Sequence, residues 1–258
     1  MKKRHLTLWV GVLVFIGSGC APEDITVEWE LAGSFPHDTT AYTQGLLFHD
    51  RHLFESTGQY GESTLRKVNP ESGAVVAQVA LDSAYFGEGL ALVGDTLVQL
   101  TWKEGVAFLY GVDSLESRGQ FTYDGEGWGL CFDGSDLFMS DGTNVLQRRD
   151  AATFDLLEEI SVEQDGFAVR QLNELECVGD HIYANVYLTD RIVQIDKVSG
   201  NVVGEINGAR LSVPGGRPRD HGAVLNGIAY VEATDIFLMT GKLWRHVLAV
   251  RLNDPEGP

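Results

Sequence analysis

Apolar residues in this chain occur in short runs separated by polar turns, and the runs recur at a regular spacing. Five segments begin with a polar or aromatic residue, followed in four of them by glycine, and continue as an aliphatic run: Gln44–Phe48, Glu88–Leu92, Trp128–Phe132, Asn173–Cys177 and Asn226–Tyr230. Their first residues lie 44, 40, 45 and 53 positions apart. An internal period of this length is typical of repeat architectures.

Each copy continues through a short polar turn into a second apolar run, which predicts a β-hairpin. A third run follows in every copy and a fourth in the first four, and no segment keeps a helical period. Four short strands per repeat are typical of a propeller blade. The fifth copy lacks its last strand, and the alternating segment 25–35 supplies it. The sequence thus predicts an all-β, five-bladed propeller of four-stranded antiparallel blades over residues 25–258, closed by the N-terminal strand.

The start of the chain has the features of an export signal. Met1 to Arg4 is basic, and an apolar run follows from Leu6 to Ile16, which is too short to span a bilayer as a helix. Small residues then precede Cys20, as in a bacterial lipobox. We expect residues 1–19 to be a lipoprotein signal peptide, Cys20 to carry the lipid, and residues 20–24 to form a short tether. Ordinary cleavage nearby, leaving Cys20 as a free thiol, is the alternative.

This signal predicts an exported protein of the bacterial cell envelope that faces the periplasm or the cell exterior. Membrane contact is expected only through the lipid anchor. In an oxidising compartment Cys131 and Cys177 could form a disulfide, although two buried thiols would also fit the sequence.

Composition excludes several classes of function. Lysine and arginine number 19 against 37 aspartates and glutamates, for a formal charge of −18, which argues against nucleic-acid binding. Nucleophile-elbow, phosphate-loop, dinucleotide and zinc-helix motifs are missing from the sequence. We therefore expect no catalytic metal and no cofactor. The aspartate-rich turns 133–136 and 141–144 leave a structural calcium open, but ordinary turn chemistry also accounts for them.

The repeat brings together residues that are far apart in the sequence. First strands lie nearest the axis of a propeller, so their opening residues form a ring. That ring contains Gln44, Glu88, Trp128, Asn173 and Asn226. The ends of the second strands add Trp102, Lys103, Tyr187 and Lys242 at the same mouth. Each of these residues alone could serve packing, turns or solvation, but the set resembles a pocket for a small molecule or a peptide end.

Six segments in one order carry a family resemblance: Tyr42-Thr-Gln44-Gly-Leu, Phe86-Gly-Glu88-Gly-Leu, Leu100-Thr-Trp102-Lys103, Glu126-Gly-Trp128-Gly-Leu, Leu172-Asn173-Glu174-Leu-Glu176 and Thr240-Gly241-Lys242-Leu-Trp244. With these the chain resembles the plant-type glutaminyl-peptide cyclotransferases, a papaya-like family that also has bacterial members. The resemblance implies conversion of an N-terminal glutamine into pyroglutamate with release of ammonia, without zinc. Tyr187 stands where the family usually has tryptophan, and Tyr42 where phenylalanine is more usual.

The resemblance and the ring together assign expected roles. Glu88, Asn173 and Lys242 are expected to be catalytic. Substrate contacts are expected from Tyr42, Gln44, Phe86, Trp102, Lys103, Trp128, Tyr187 and Asn226. Glu88 would take a proton from the attacking amine and return it to the leaving ammonia, while Asn173 and Lys242 hold the amide oxygen.

Two electrostatic effects oppose each other at Glu88. Aromatic neighbours would raise its pKa, whereas Lys103 or Lys242 would lower it, and the sequence leaves that balance open.

The expected partners are peptides or proteins with an N-terminal glutamine, and the protein is expected to be a monomer. Two other functions remain open at this stage. One is a non-enzymatic propeller lipoprotein that binds peptides or envelope partners, and the other is a metal-dependent propeller hydrolase or lyase, which the single axial carboxylate disfavours.

Overall fold

The computed structural model describes residues 25–253 and consists almost entirely of β-strands. The predicted signal peptide, the tether and Cys20 lie outside the described residues. The chain begins with β1 (Glu28–Pro36). The first blade contains β2 to β5, which are Thr43–His49, His52–Thr57, Thr64–Asn69 and Ala74–Ala80. The second contains β6 to β9, which are Gly87–Val93, Thr96–Thr101, Val106–Gly111 and Ser117–Thr122.

The remaining blades repeat this arrangement. The third contains β10 to β13, which are Leu130–Phe132, Asp136–Ser140, Val145–Asp150 and Leu156–Ser161. A small hairpin follows, formed by β14 (Glu163–Gln164) and β15 (Phe167–Ala168). The fourth blade contains β16 to β19, which are Leu172–Val178, His181–Val186, Arg191–Asp196 and Val202–Asn207. The fifth contains β20 to β22, which are Leu225–Val231, Ile236–Gly241 and His246–Asn253.

The N-terminal strand closes the ring. The fifth sheet has the order β1-β22-β21-β20, so its outer strand is β1. The two strands pair antiparallel, from Glu28 opposite Asn253 to Pro36 opposite His246. This pairing covers the edge that β22 would otherwise expose. The predicted five-bladed propeller and its closure by the N-terminal strand are confirmed.

Apolar side chains fill the spaces between neighbouring blades. Phe54 and Leu65 of the first blade pack against Leu97 and Tyr110 of the second, and similar clusters occupy the other four interfaces of the described chain. Burying one such side chain contributes about 1.5–3 kcal/mol. Because strand residues alternate between the two faces of a sheet, each blade contributes to two clusters.

Two connections were not predicted from the repeat. The β14–β15 hairpin lies between the third and fourth blades, and residues 208–224 join the fourth blade to the fifth with a 3₁₀ turn at Gly208–Leu211. This longer connection accounts for the largest spacing in the repeat. A second 3₁₀ turn is formed by Glu232–Thr234. Within residues 25–253 the structure has no helix with the length and apolar character needed to cross a membrane.

A disulfide joins the first strands of two blades. Cys131 on β10 and Cys177 on β16 are bonded, with their Cα atoms 5.4 Å apart and 46 positions of sequence between them. Of the two alternatives that the sequence left open, the structure has the bonded pair.

Candidate active site

The opening residues of the first strands lie at irregularities in the β-ladders. Register shifts interrupt pairing between Thr43 and Gly45, between Gly87 and Leu90, between Leu172 and Leu175, and between Leu225 and Ile228. Gln44, Glu88, Asn173 and Asn226 fall within these interruptions. A β-bulge redirects a side chain that regular pairing would point elsewhere.

Glycine after the opening residue allows neighbouring first strands to approach closely. A Cβ atom on Gly45 would lie 2.6 Å from the Leu90 backbone nitrogen, and one on Gly129 would lie 2.0 Å from the Asn173 carbonyl oxygen. Neither contact is possible for a larger residue. The glycines of the repeat therefore determine how tightly the inner ring closes.

The inner ring opens at one end into a cavity of about 210 Å³. This is below the roughly 300–1,000 Å³ of pockets for drug-sized ligands and fits a single side chain with its attached backbone. The cavity is lined by residues from all five blades and their connections: Tyr42, Gln44, Gln59, Phe86, Glu88, Trp102, Trp128, Asn173, Tyr187 and Lys242.

Aromatic rings form most of the walls. The Phe86 ring meets Trp102 at a centroid distance of 5.5 Å, and Trp128 meets Tyr187 at the same distance with nearly perpendicular planes. A Cβ atom on Gly142 would lie 2.6 Å from the Trp128 indole, so only glycine leaves room for that ring. Gly142 has φ +79°, a backbone conformation that favours glycine in any case.

Glu88 is the carboxylate of the cavity and is only 5% exposed. The Gln44 amide donates a hydrogen bond to its Oε1 atom at 2.9 Å. Burial raises the pKa of Glu88 well above its usual range, the nearby Lys242 lowers it, and Glu126 and Glu104 raise it further. Of the two opposing effects that the sequence left open, burial is therefore the larger.

Lys242 faces the same cavity and is 2% exposed. Its Nζ atom lies 4.6 Å from the centre of the Tyr42 ring and 5.3 Å from that of Tyr187, a cation–π arrangement on two sides. Burial lowers its pKa to about 8, and the charge of Glu88 acts in the opposite direction. An ammonium with this pKa changes charge close to neutral pH.

Asn173 is 2% exposed, and its Oδ1 atom has no hydrogen-bond partner among the described residues. A buried polar atom without a partner costs free energy comparable to a lost hydrogen bond. This side chain lines the cavity beside Glu88 and Lys242. Asn173 Oδ1 is therefore a candidate to accept a hydrogen bond, and the amide nitrogen of the same side chain can donate one.

Two of the expected substrate contacts lie outside the cavity. Asn226 is completely buried and donates hydrogen bonds to the Thr43 carbonyl at 3.0 Å and to Gln44 Oε1 at 3.4 Å. Lys103 lies on the outer side of Trp102, with its Nζ atom 3.7 Å from the ring centre, and its side chain is 51% exposed. Asn226 thus holds Gln44 through a hydrogen bond, and Lys103 lies over one face of an aromatic wall.

Two residues of the site, Gln59 and Glu126, are not predicted from the sequence. Gln59 lines the cavity and follows β3, the second strand of the first blade. The ends of the second strands in other blades already supplied predicted site residues, so this position was the available signal. Glu126 accepts hydrogen bonds from the indole nitrogens of Trp102 and Trp128. Its position two residues before Trp128 in a family segment was the available signal.

Among residues 25–253, no three histidine, cysteine, aspartate or glutamate side chains cluster as metal ligands would. In the aspartate-rich turns, Asp133 Oδ1 accepts hydrogen bonds from the backbone amides of Ser135 and Asp136. Asp141 Oδ1 accepts hydrogen bonds from the amide and the hydroxyl of Thr143. These contacts satisfy ordinary turn chemistry.

Known proteins resemble this chain in both sequence and fold. The family model for glutamine cyclotransferase matches residues 15–252. A glutaminyl-peptide cyclotransferase of Arabidopsis thaliana is 40% identical over 231 residues, which cover 87% of this chain and 71% of the relative. The crystal structure of Myxococcus xanthus glutaminyl cyclase superposes with a TM-score of 0.84 at 38% identity, covering 89% of this chain and 98% of that one. On these matches, the chain belongs to the glutamine cyclotransferase family and is a glutaminyl cyclase.

Proposed function

We propose that the protein cyclises the N-terminal glutamine of peptides and proteins to pyroglutamate with release of ammonia, without a metal, using Glu88 as general base and then general acid. The observation that carries this proposal is a buried carboxyl group of raised pKa in a small aromatic cavity beside Lys242 and Asn173. A general base works best when its pKa lies near the working pH, and burial moves Glu88 in that direction.

The reaction is intramolecular. The neutral α-amine of the substrate attacks its own γ-carboxamide carbon, and a new C–N bond closes the five-membered lactam. The ionised Glu88 takes a proton from the attacking nitrogen, then returns it to the carboxamide nitrogen as the C–N bond to ammonia breaks. Proton and electrons balance without a co-reactant. Because Gln44 occupies Oε1 of Glu88, the second carboxylate oxygen is free of that bond and serves the transfer.

Negative charge develops on the carboxamide oxygen during the attack. The Lys242 ammonium and the Nδ2 group of Asn173 are the donors proposed to stabilise it, since both side chains are buried and line the cavity. Removing one such donor typically costs about 10²–10³-fold in kcat. The aromatic walls keep the glutamine side chain folded back on its amine, which supplies the proximity that an intramolecular reaction needs.

Metal independence is proposed from the chemistry of the lining residues. The cavity offers one carboxylate, amides, an ammonium and aromatic rings, and no histidine or cysteine is among its lining residues. A catalytic zinc site in proteins ordinarily uses three histidine, cysteine or carboxylate ligands. Turnover that survives EDTA treatment is expected. Loss of activity in EDTA with recovery on added zinc would contradict this part of the proposal.

A direct test uses a short peptide that begins with glutamine and mass spectrometry. The wild-type protein should remove one ammonia from this peptide and leave the same peptide with an N-terminal alanine unchanged. Glu88→Gln should lose turnover while its circular dichroism and melting temperature show a folded protein. Ammonia release by folded Glu88→Gln at close to the wild-type rate would refute the role of Glu88.

We also propose that the protein is a monomeric, lipid-anchored lipoprotein of the cell envelope. The basic start, the short apolar run and Cys20 support the anchor, and the Cys131–Cys177 disulfide is typical of an oxidising compartment. Radiolabelled palmitate should enter the wild-type protein in bacterial cells but not Cys20→Ala. Equal labelling of both proteins would rule out lipidation at this residue.

A further inference from the structure

One carboxylate joins two aromatic walls of the cavity that belong to different blades. Glu126 Oε2 accepts a hydrogen bond from the Trp102 indole nitrogen at 2.7 Å and another from the Trp128 indole nitrogen at 3.0 Å. Trp102 follows the second strand of the second blade, whereas Trp128 precedes the first strand of the third blade. A single oxygen atom therefore fixes the relative position of two rings that line the cavity.

The backbone keeps Glu126 in place. The amide of the next residue, Gly127, donates to the Trp102 carbonyl at 2.9 Å, and the Trp128 amide donates to the Ser140 carbonyl at the same distance. A Cβ atom on Gly127 would lie 2.4 Å from the Tyr123 hydroxyl, so glycine is needed for the chain to pass here. The connection between β9 and β10 is thus built to present this carboxylate to both indoles.

Charge makes the arrangement stronger than a neutral bridge. Hydrogen bonds to an ionised acceptor are roughly twice as strong as neutral ones. The second oxygen, Oε1, lies 3.9 Å from Lys103 Nζ, and that ammonium lies over the Trp102 ring. Lys103 and Glu126 therefore hold Trp102 from its face and from its edge. The same negative charge contributes to raising the pKa of Glu88.

We infer that Glu126 is a positioning residue, which holds the Trp102 and Trp128 indoles as fixed walls so that the substrate glutamine is kept folded for cyclisation. The inference rests on the proposed function, because it takes the glutamine side chain to lie between these walls. Intramolecular reactions depend steeply on geometry, so walls that can rotate would reduce the population of reactive conformers.

Two variants separate hydrogen bonding from charge. Glu126→Gln keeps an acceptor oxygen for the indoles and removes the charge, whereas Glu126→Ala removes both. We expect kcat/KM for a glutamine-initiated peptide to fall about 10- to 100-fold in Glu126→Ala, with much of the loss recovered in Glu126→Gln. Near-ultraviolet circular dichroism should lose tryptophan intensity in Glu126→Ala and keep it in Glu126→Gln, because the signal depends on rigidly held rings.

Glu104→Gln is the matched charge control. Glu104 also raises the pKa of Glu88, but it accepts hydrogen bonds from the Tyr60 hydroxyl at 2.8 Å and the Phe86 amide at 3.4 Å rather than from indoles. Removing either charge lowers the pKa of Glu88. The acid limb of the pH profile should therefore move to lower pH in Glu126→Gln and in Glu104→Gln alike, with the tryptophan signal unchanged in both.

Several outcomes would overturn the inference. One is a folded Glu126→Ala protein with wild-type kcat/KM and wild-type near-ultraviolet dichroism. Another is that Glu126→Ala and Glu126→Gln are impaired equally and have the same kinetics as Glu104→Gln. In that case Glu126 would act only through its negative charge. Failure of the proposed function is distinguishable, because it would show as turnover by Glu88→Gln or as no turnover by the wild type, whatever the Glu126 variants do.

Discussion

Glu88 and Glu174 are buried glutamates on the first strands of two blades, and their partners differ. Glu88 accepts a side-chain hydrogen bond from Gln44 and faces the cavity. Glu174 is 1% exposed and uses both oxygens for backbone donors, with Oε1 accepting from Leu46 of the first blade at 3.2 Å and Oε2 from Ile228 of the fifth at 2.8 Å. One carboxyl group lines an open cavity, and the other links three blades.

Burial affects the two groups in the same way. It is the largest cause of a pKa raised well above the usual range in both, with Lys242 opposing it at Glu88 and the two backbone amides opposing it at Glu174. A raised pKa by itself therefore does not identify a carboxyl group that takes part in a reaction. The hydrogen-bond partners distinguish the two glutamates, because a carboxyl group whose two oxygens accept backbone hydrogen bonds is not available for proton transfer to a ligand.

Sequence position explains why Glu174 can reach across the axis. It occupies the place where the other four copies of the repeat have glycine. In those copies the neighbouring first strand lies against the glycine, as at Gly45 and Gly129. In the fourth blade a long side chain replaces that close approach and hydrogen-bonds the two strands instead. A departure from the repeat thus became part of the closure of the ring.

The largest effect is expected from Glu88→Gln. Loss of a general base and acid typically costs about 10²–10⁴-fold in kcat. The free energy of unfolding, in contrast, should increase in this variant at neutral pH. Because the folded pKa of Glu88 is raised above its ordinary 4.5, the native state loses stability as the pH rises from that value towards the folded pKa, and the neutral amide escapes this loss.

The measurements are kcat from ammonia release and the melting temperature at several pH values. A Glu88→Gln protein that is inactive but less stable than the wild type at pH 7 would contradict the expectation that ionised Glu88 lowers the stability of the folded protein.

Lys242→Met is expected to have the next largest effect, a loss of about 10²–10³-fold in kcat. Lys242 lowers the pKa of Glu88, so its removal should raise that pKa and move the acid limb of the kcat/KM profile to higher pH. The alkaline limb that reflects the Lys242 pKa of about 8 should disappear. Profiles of wild type and variant with one peptide test both shifts, and an unchanged alkaline limb would assign that limb to a group other than Lys242.

Glu174→Gln should show the reverse pattern to Glu88→Gln. The amide offers one acceptor oxygen, so one of the backbone donors of Leu46 and Ile228 loses its partner, at a cost of about 1–3 kcal/mol in the free energy of unfolding. Because the pKa of Glu174 is also raised, this cost should shrink as the pH rises above 4.5. Values of kcat and KM should remain within about a factor of three of the wild type. Equilibrium urea unfolding and steady-state kinetics on the same preparation test this. Strong loss of kcat without loss of stability would mean that Glu174 acts on the substrate.

A smaller effect concerns a third buried glutamate, whose partner is a histidine. His37 Nε2 lies 2.8 Å from Glu55 Oε1, and Thr43 donates to the same oxygen at 2.7 Å. The pair raises the pKa of His37 and lowers that of Glu55 despite the burial of both. The Glu55 contribution to stability is lost as the pH falls below 4.5, and the His37 contribution is lost as the pH rises above 6.5 through its raised pKa.

The difference in melting temperature between wild type and the double variant His37→Gln/Glu55→Gln should therefore be largest between pH 4.5 and 6.5 and narrow on both sides. A difference that does not change from pH 4 to pH 9 would show that the pair does not titrate as its contacts indicate. Unlike Glu88, this pair lies outside the cavity, so kcat is not the readout.

Much of the site could be predicted from the sequence because its residues occupy equivalent positions in a repeat. Glu88 and Asn173 open first strands, and Trp102, Tyr187 and Lys242 follow second strands. These positions share one end of a propeller whatever the details of packing. Lys103 and Asn226 have the right register but are not among the residues that line the cavity. Register alone does not give the direction of a side chain at a bulge or in a loop.

Local patterns in the sequence determined the strands, the number of blades, the closing strand and the identity of the acid in the ring. Alternation of apolar residues and turn chemistry act over a few residues, so they can be read directly from the chain. Tertiary structure alone decided that burial outweighs Lys242 at Glu88, that Glu174 serves the backbone, and that Glu126 joins two indoles. Desolvation and hydrogen bonding depend on distances between blades, and those distances exist only after the ring has closed.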